Sequence, residues 1–385
     1  MIKYNVLEIT PAVGFSKSFV NARLAYMNEK GYHMHLACPY DREIDQFTRQ
    51  NNICYYALDL QRLIAVTKDI KAFFQLCKYV RKNHIDCVVG HADKGTLMAS
   101  LVGFFTRTKV ILFIHGTSFE TRKGLSRRLF IFVDWFQSVF SDINICVSQF
   151  LVDLRTQLHI APARKQIVPH MGSCCGIDCN KYDVKKITET VKDDLRFSLG
   201  IAKDDFVIGF CGRFTNDKGI DQLVDAFEIL NKKIENKFTL LLLGRKDIRD
   251  DLPQKTQDLI NGCDRIVCPG YISQNIENYY SIMDVFVLPT RRDGFGMCLL
   301  EAAAMGVPVL SSPLTGSKDA MSVKNNGEYI KIEANDIADK IMYLYENSEI
   351  RERYSKYGVD WVKENFNNKV VFDSIFNIYT KVLND

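Results

Sequence analysis

No apolar run in this chain approaches the ~18–20 residues that a helix needs to cross a bilayer. The longer candidates, such as Leu129–Val133, end at charge, so any membrane contact is expected to be peripheral. The amino terminus, MIKYNVLEIT, is too short and too polar for a signal peptide and reads as a first β-strand. A cytoplasmic chain is the expectation, with room for contact at the inner face of a membrane. Metal-site spacings are missing as well: there is no Cys-x-x-Cys, no His-Glu-x-x-His, and no Asp-x-Asp that could hold a divalent ion against a diphosphate. The first loop, Thr10–Ser16, has Gly14 but no Gly-x-Gly-x-x-Gly, which argues against a dehydrogenase.

Charge of one sign is scarce too. A net charge of +4 over 385 residues gives no case for nucleic acid. Apolar residues at 47% and charged residues at 25% are those of an ordinary globular protein. The twelve cysteines are scattered through apparent strands and helices, and Cys174 and Cys175 are adjacent, an awkward spacing for bridging or chelation. They read as reduced thiols, mostly small core residues.

What is present is alternation. Short apolar runs at Asn5–Ile9, Met34–Cys38, Cys54–Ala57, Ile85–Val89, Val110–Ile114 and Ile143–Val147 are separated by helical patterns. This is the signature of α/β layers with a parallel sheet. One such pattern, Asp69–Lys82, sets Ile70, Phe73, Phe74, Cys77 and Val80 on a single helical stripe. The pattern loosens over residues 165–184, where Pro, Gly, Ser, Asp and Asn mix as in an interdomain connection. A second alternating unit follows, with strands expected at Val207–Cys211, Thr239–Leu243, Ile266–Cys268, Val285–Leu288 and Pro308–Leu310. Helical segments at Asp336–Asn347, Ile350–Glu364 and about Lys369–Leu383 close the chain. The length suits two cores of roughly 150–200 residues each.

The second unit carries the chemistry. Residues 284–319 read as strand, loop, helix, strand: Asp284–Leu288, then Pro289–Gly296, then Met297–Met305 ended by Gly306-Val307-Pro308, then Val307–Leu310. Unusual residues thus fall at the carboxyl end of a strand, where open α/β sheets bind ligands. Asp293 just before the helix complements its positive end. Glu301, amid Leu299, Leu300, Ala302 and Ala303, must leave the core or find hydrogen-bond donors. Upstream, Phe210–Gly219 places Gly212, Arg213 and Lys218 between a strand and a helix, where two cations and free N–H groups suit phosphate. Taken alone, those cations serve equally well as solvated loop residues.

Asp293-Gly294-Phe295-Gly296, Met297, the Leu300-Glu301-Ala302 triplet and the Gly306-x-Pro308 turn resemble the donor-site signature of retaining glycosyltransferases of family 4, built on two Rossmann-like domains (GT-B). The family usually has Glu where this chain has Asp293. The Gly212-Arg213…Lys218-Gly219 segment is similar to the family's diphosphate-holding element. The resemblance implies that Glu301 binds ribose hydroxyls, that Asp293 lies beside the transferred sugar, and that Arg213 and Lys218 stabilise the departing diphosphate. It implies backbone or side-chain contacts to the donor from Gly14, Gly212, Gly294, Phe295, Gly296, Met297 and Leu300, with Gly270-Tyr271-Ile272 where the base lies.

In the first half, Ile114-His115-Gly116-Thr117 matches a family His-Gly near the transferred sugar, which gives His115 a supporting role; read on its own, this His could equally cap a strand end. His91-Ala-Asp-Lys-Gly95, Gly172–Asp178 and Thr315–Asp319 match other family segments, the first and last seen in bacterial surface-polysaccharide members. Residues 121–140 combine Arg122, Lys123, Arg127 and Arg128 with Leu129, Phe130, Phe132, Val133, Trp135, Phe136 and Phe140, open to two readings: a helix lying on an anionic bilayer, or a core helix with a charged first turn.

The expectations are therefore a two-domain α/β protein of GT-B type. Residues 1–170 form the acceptor domain, completed by a helix over 367–385, and residues 171–366 the donor domain. Sheets face across a cleft that closes about residues 165–184. The expected activity transfers sugar from a nucleotide-sugar, UDP-linked, to a glycan or lipid-linked acceptor without a metal or other cofactor. A nucleotide-sugar epimerase on the same architecture, or an inactive sugar-nucleotide-binding partner protein, is the alternative.

Overall fold

The computed structural model describes residues 4–60, 65–247 and 251–384. Asp385, at the end of the expected last helix, lies outside them. Two compact units result, one of Met1–Gly176 with Asn368–Asp385, the other of Ile177–Asn367.

The first unit holds strands β1 (Asn5–Ile9), β2 (His33–Cys38), β3 (Cys54–Ala57), β4 (Cys87–His91), β5 (Lys109–Ile114), β6 (Ile143–Cys146) and β7 (Gln166–Ile167). They form one sheet in the order β3-β2-β1-β4-β5-β6-β7, with every pairing parallel. Strand order reverses between β1 and β4, and the loops after those strands flank the switch point. Helix Asn368–Asn384 packs on this unit, with Tyr379 OH donating to Glu8 Oε1 at 2.9 Å and Tyr26 tilted on Phe372.

The second unit repeats the plan with β8 (Phe206–Phe214), β9 (Phe238–Lys246), β10 (Ile266–Gly270), β11 (Val285–Leu288), β12 (Val309–Ser311) and β13 (Gly327–Tyr329). Its order is β10-β9-β8-β11-β12-β13, again all parallel, with the switch between β8 and β11. All four residues of β11 are buried, as a strand covered by helices on both faces requires. Both units are thus doubly wound α/β layers, the fold class that the alternating pattern predicts.

Several sequence expectations need correction. β8 does not stop at Cys211: it runs to Phe214, with Gly212, Arg213 and Phe214 paired to Gly244, Arg245 and Lys246. Gly212, expected after the strand, lies within it and pairs with another glycine; a Cβ on Gly244 would meet the Gly212 carbonyl at 1.8 Å, so the strands approach only because that side chain is missing. The first loop is shorter than Thr10–Ser16, since a helix begins at Val13. In helix Val66–Lys82 the buried stripe is Ala72, Leu76, Cys77 and Val80, while Ile70 and Phe74 are exposed. Residues 165–184 include β7 and are not wholly irregular.

Candidate functional site

In the second unit, the loop after β11 is stitched to the turn after β8. Arg291 N–H donates to the Asp217 carbonyl at 2.7 Å, and the Arg291 guanidinium donates to the Asn216 carbonyl at 2.8 Å. Gly219 makes this approach possible. Its φ is +66°, and a Cβ there would meet the Pro289 carbonyl oxygen at 2.1 Å. Lys218, one residue earlier, is thereby aimed at the same loop. Its Nζ donates to the Arg292 carbonyl at 3.1 Å and to Asp293 Oδ2 at 2.7 Å.

Asp293 in turn accepts from the N–H groups of Phe295 (3.3 Å) and Gly296 (3.0 Å) through Oδ1. Burial pushes its carboxyl up, but the Lys218 charge and these hydrogen bonds win and leave it below the ordinary carboxylate range. Gly296 caps helix Met297–Ala304 with a φ of +87°. Asp293, Gly294, Gly296 and Met297 therefore gather with Lys218 at the amide end of that helix, where the peptide dipoles favour an anion.

Glu301 sits one turn further along the same helix. Tyr280 OH donates to its Oε2 at 2.7 Å, and Tyr182 also bonds to it. Burial raises the Glu301 carboxyl above its usual value against the pull of both phenols. The Cys211 thiol nearby is pushed up to about 12 by burial, so it stays neutral. Neither tyrosine stands out in the sequence; the signal that could have found them is the demand of a carboxylate on an apolar helix for donors.

Other expected residues sit elsewhere. Arg213, at the end of β8, is half exposed and pairs with Asp247 at 3.3 Å. Gly270, with a φ of +90°, closes β10 at the sheet edge, and the Arg245 guanidinium lies 5.3 Å from the ring of exposed Tyr271, beside Ile272. The side chains of Phe295 and Leu300 point into the core, Phe295 against Phe366, so only their backbone can meet a ligand.

In the first unit, Gly14 lies in helix Val13–Phe19 with open space beside it. His115 follows β5, with Phe15 edge-on to its ring at 4.7 Å. Behind it stands a buried chain of groups. His115 Nε2 is 3.1 Å from His91 Nδ1, and His91 Nε2 is 2.9 Å from Glu8 Oε2. Arg23 donates to the same Glu8 oxygen at 2.6 Å. With Glu8 ionised, we assign the His91 proton to Nε2 and the bridging proton to His115 Nε2. Burial pushes Glu8 up, but Arg23 and His91 hold it at about 2, while burial drives His91 down to about 4. An acid inside the apolar strand β1 is the sequence signal that could have found this network, and the sequence reading passed over it.

Helix Gly124–Val139 exposes Leu125, Leu129, Phe132, Trp135 and Val139 along one face. Next to it, Phe136 packs on Phe140 and Phe140 on Phe104; Phe104 meets Phe105, and Phe105 meets Phe73. Of these, Phe104 and Phe105 are more than half exposed. The core reading of this helix is therefore wrong for that face. No helix among the described residues is long and apolar enough to cross a membrane.

Comparison with known proteins places this geometry. The family model "Glycosyl transferases group 1" matches residues 191–361, and "Glycosyl transferase 4-like" matches residues 12–146. The capsular polysaccharide biosynthesis glycosyltransferase CapM of Staphylococcus aureus is 26% identical over 386 residues, 98% of each chain. An Escherichia coli relative, UDP-Gal:alpha-D-GlcNAc-diphosphoundecaprenol alpha-1,3-galactosyltransferase, is 25% identical over 91% of this chain and 87% of its own. The crystal structure of Anabaena Alr3699/HepE in complex with UDP superposes with a TM-score of 0.80 at 16% identity, covering 99% of this chain and 100% of that one, and so shares the fold. With both halves matched and both sheets doubly wound, the chain belongs to the family-4 type of GT-B glycosyltransferases.

Proposed function

We propose that this glycosyltransferase retains anomeric configuration, takes its sugar from a UDP-sugar, and adds it to a lipid-linked glycan during surface-polysaccharide assembly. The observation that carries the reading is Lys218 held 2.7 Å from Asp293 at the amide end of helix Met297–Ala304. A diphosphate there meets an ammonium and aligned peptide dipoles, and both act most strongly as charge builds on the leaving group. Arg213 is a second cation at the end of the neighbouring strand. Glu301 is the acceptor for ribose hydroxyls. The names of the two relatives support the rest: one acts in capsular polysaccharide biosynthesis, the other is named for a UDP-sugar donor and a diphosphoundecaprenol-linked acceptor.

Retention is favoured by the family resemblance and by the state of the carboxylates. Asp293 is committed to Lys218 and two N–H groups, and Glu301 to two phenols. Both carboxylates are held as binding groups by these bonds, which suits a front-face departure of the diphosphate. Protein cations, not a resident metal, neutralise that diphosphate in this reading.

The exposed aromatic face of the first unit fits an anionic lipid surface. Arg122, Lys123 and Arg128 are exposed beside it, the charge complement that such a surface needs. Anionic vesicles should sediment the protein and neutral ones should not, with Leu125→Ser/Leu129→Ser reducing the bound fraction.

The transfer itself is tested by incubating the protein with a UDP-hexose panel and a prenyl-diphosphate-linked sugar, with and without EDTA. A product with the donor's anomeric configuration, formed at the same rate in chelator, is expected. Inverted product, chelator-abolished transfer, an epimerised donor formed without acceptor, or UDP binding without any turnover would each contradict the reading.

A further inference from the structure

Among the described residues, His33, His35 and Cys54 form a group of metal-ligating side chains outside the sites above, with ligand atoms all within 4.8 Å of one another. Their convergence follows from the sheet. His33 and His35 are two apart on β2 and so share a face. Cys54, the first residue of β3, is the register partner of His35 and emerges on the same side.

One edge of the group already has the length that a bound metal would set. Cys54 Sγ lies 3.5 Å from His33 Nε2. Tetrahedral zinc, with bonds of about 2.3 Å to sulfur and about 2.0 Å to nitrogen, sets that edge at roughly 3.6 Å. Each ring is steadied through its other nitrogen: His33 Nδ1 is 2.9 Å from Asn5 Oδ1, and His35 Nδ1 is 2.9 Å from the Tyr79 hydroxyl. The Asn5 oxygen can only accept, which holds the His33 proton on Nδ1 and leaves Nε2 as the ligand atom; the Tyr79 hydroxyl accepts in the same way from His35 when Nε2 of that ring binds a metal.

An independent sign comes from His35. The residue is 2% exposed, and its Nε2 is buried without any hydrogen-bond partner. An orphaned polar atom of this sort is destabilising unless something else meets it. A soft or borderline cation does so, and exposed His33 leaves a path for its entry.

We propose that His33, His35 and Cys54 bind a borderline divalent cation, zinc foremost, as a three-ligand site whose fourth position faces solvent. His33 and Cys54 open their strands, so the site is at the amino-terminal end of the sheet, opposite His91 and His115 at the carboxyl ends of β4 and β5. Its role is structural: it clips β3, the four-residue edge strand, to β2. It takes no part in sugar transfer and stands apart from the donor-site reading.

Cobalt(II) titration of the chelator-stripped, full-length protein tests this. One equivalent should produce a thiolate-to-cobalt charge-transfer band with tetrahedral d–d absorption, and zinc should bleach both. Cys54→Ser should remove the charge-transfer band. His33→Gln, at an exposed position, should weaken affinity on the order of ten-fold or more, while both variants keep transfer activity as a check on folding. Absence of the band in the native chain overturns the site; so does a band unchanged in both variants, which would assign it to other thiols. Without metal binding, the Cys54–His33 contact is an ordinary S–H···N hydrogen bond.

Discussion

Lys218 and Asp293 are 75 positions apart in the chain and 2.7 Å apart in the fold. Their side chains are only 12% and 20% exposed, so each is the other's main compensation for lost water. The pair is also what a nucleoside diphosphate would rearrange, because its oxygens compete with Asp293 for the ammonium. If Lys218 acts on the leaving group, Lys218→Ala should lower kcat on the order of 10²-fold, with a smaller change in donor KM. Steady-state kinetics decide it; an unchanged kcat would remove Lys218 from the chemistry.

Gly219 is where backbone geometry sets the position of Lys218. Gly219→Ala places a Cβ against the Pro289 carbonyl, 2.1 Å away in the present backbone, in a left-handed conformation. The conformation alone costs about 1–2 kcal/mol, and the clash adds to it. The urea midpoint of the second unit should fall, read by Trp361 fluorescence in a Trp135→Phe background, and UDP affinity should fall with it. A stable variant with full affinity would show that the 216–219 turn does not position the site.

The raised carboxyl of Glu301 predicts how donor binding depends on pH. Only the ionised form accepts two ribose hydroxyls well, so UDP affinity should weaken on acidification at a pH above the ordinary 4.5. Tyr280→Phe removes a bond to the ionised form and should move that loss to still higher pH. In Glu301→Gln the affinity should be lower and flat across the same range. Calorimetry at a series of pH values checks all three, and a flat wild-type profile would contradict the assignment.

Glu8 and His91 predict an acid response of the first unit. Both have folded values below their ordinary ones: His91 about 4 against 6.5, Glu8 about 2 against 4.5. A lowered folded value means that the unfolded chain takes up the proton first, so stability falls as pH falls. His91 contributes the loss between about 6.5 and 4, and Glu8 the loss between about 4.5 and 2. Denaturant midpoints read by Trp135 in a Trp361→Phe background should decline in that order. Glu8→Gln should be less stable at neutral pH and should lack the lower step.

Much of this architecture was legible because parallel strands are buried on both faces and read as short apolar runs. β1, β3 and β11 have the ends that the sequence predicts. The turn from Pro289 to Glu301 was legible for another reason: glycines and acids crowd a strand–helix junction where packing alone has no use for them. Illegible features depend on distant partners. The extension of β8 through Phe214 comes from pairing with β9, and two- or three-residue strands such as β7 and β13 carry no periodic signal. The exposure of Ile70, Phe74 and the 124–139 face depends on which side of each helix its neighbours cover. Tyr280 and Tyr182 as holders of Glu301, and Arg23 as the partner of Glu8, were likewise invisible until the chain was folded.

The central claim is that Lys218 belongs to a diphosphate. The most direct measurement is a calorimetric comparison of UDP with uridine on the wild type and on Lys218→Ala. The account predicts that the wild type binds UDP on the order of 10²-fold more tightly than uridine, a difference of about 2.7 kcal/mol, and that most of it disappears in Lys218→Ala while uridine affinity stays put. Equal binding of the two ligands by the wild type, or a preference for UDP that survives intact in Lys218→Ala, would contradict it.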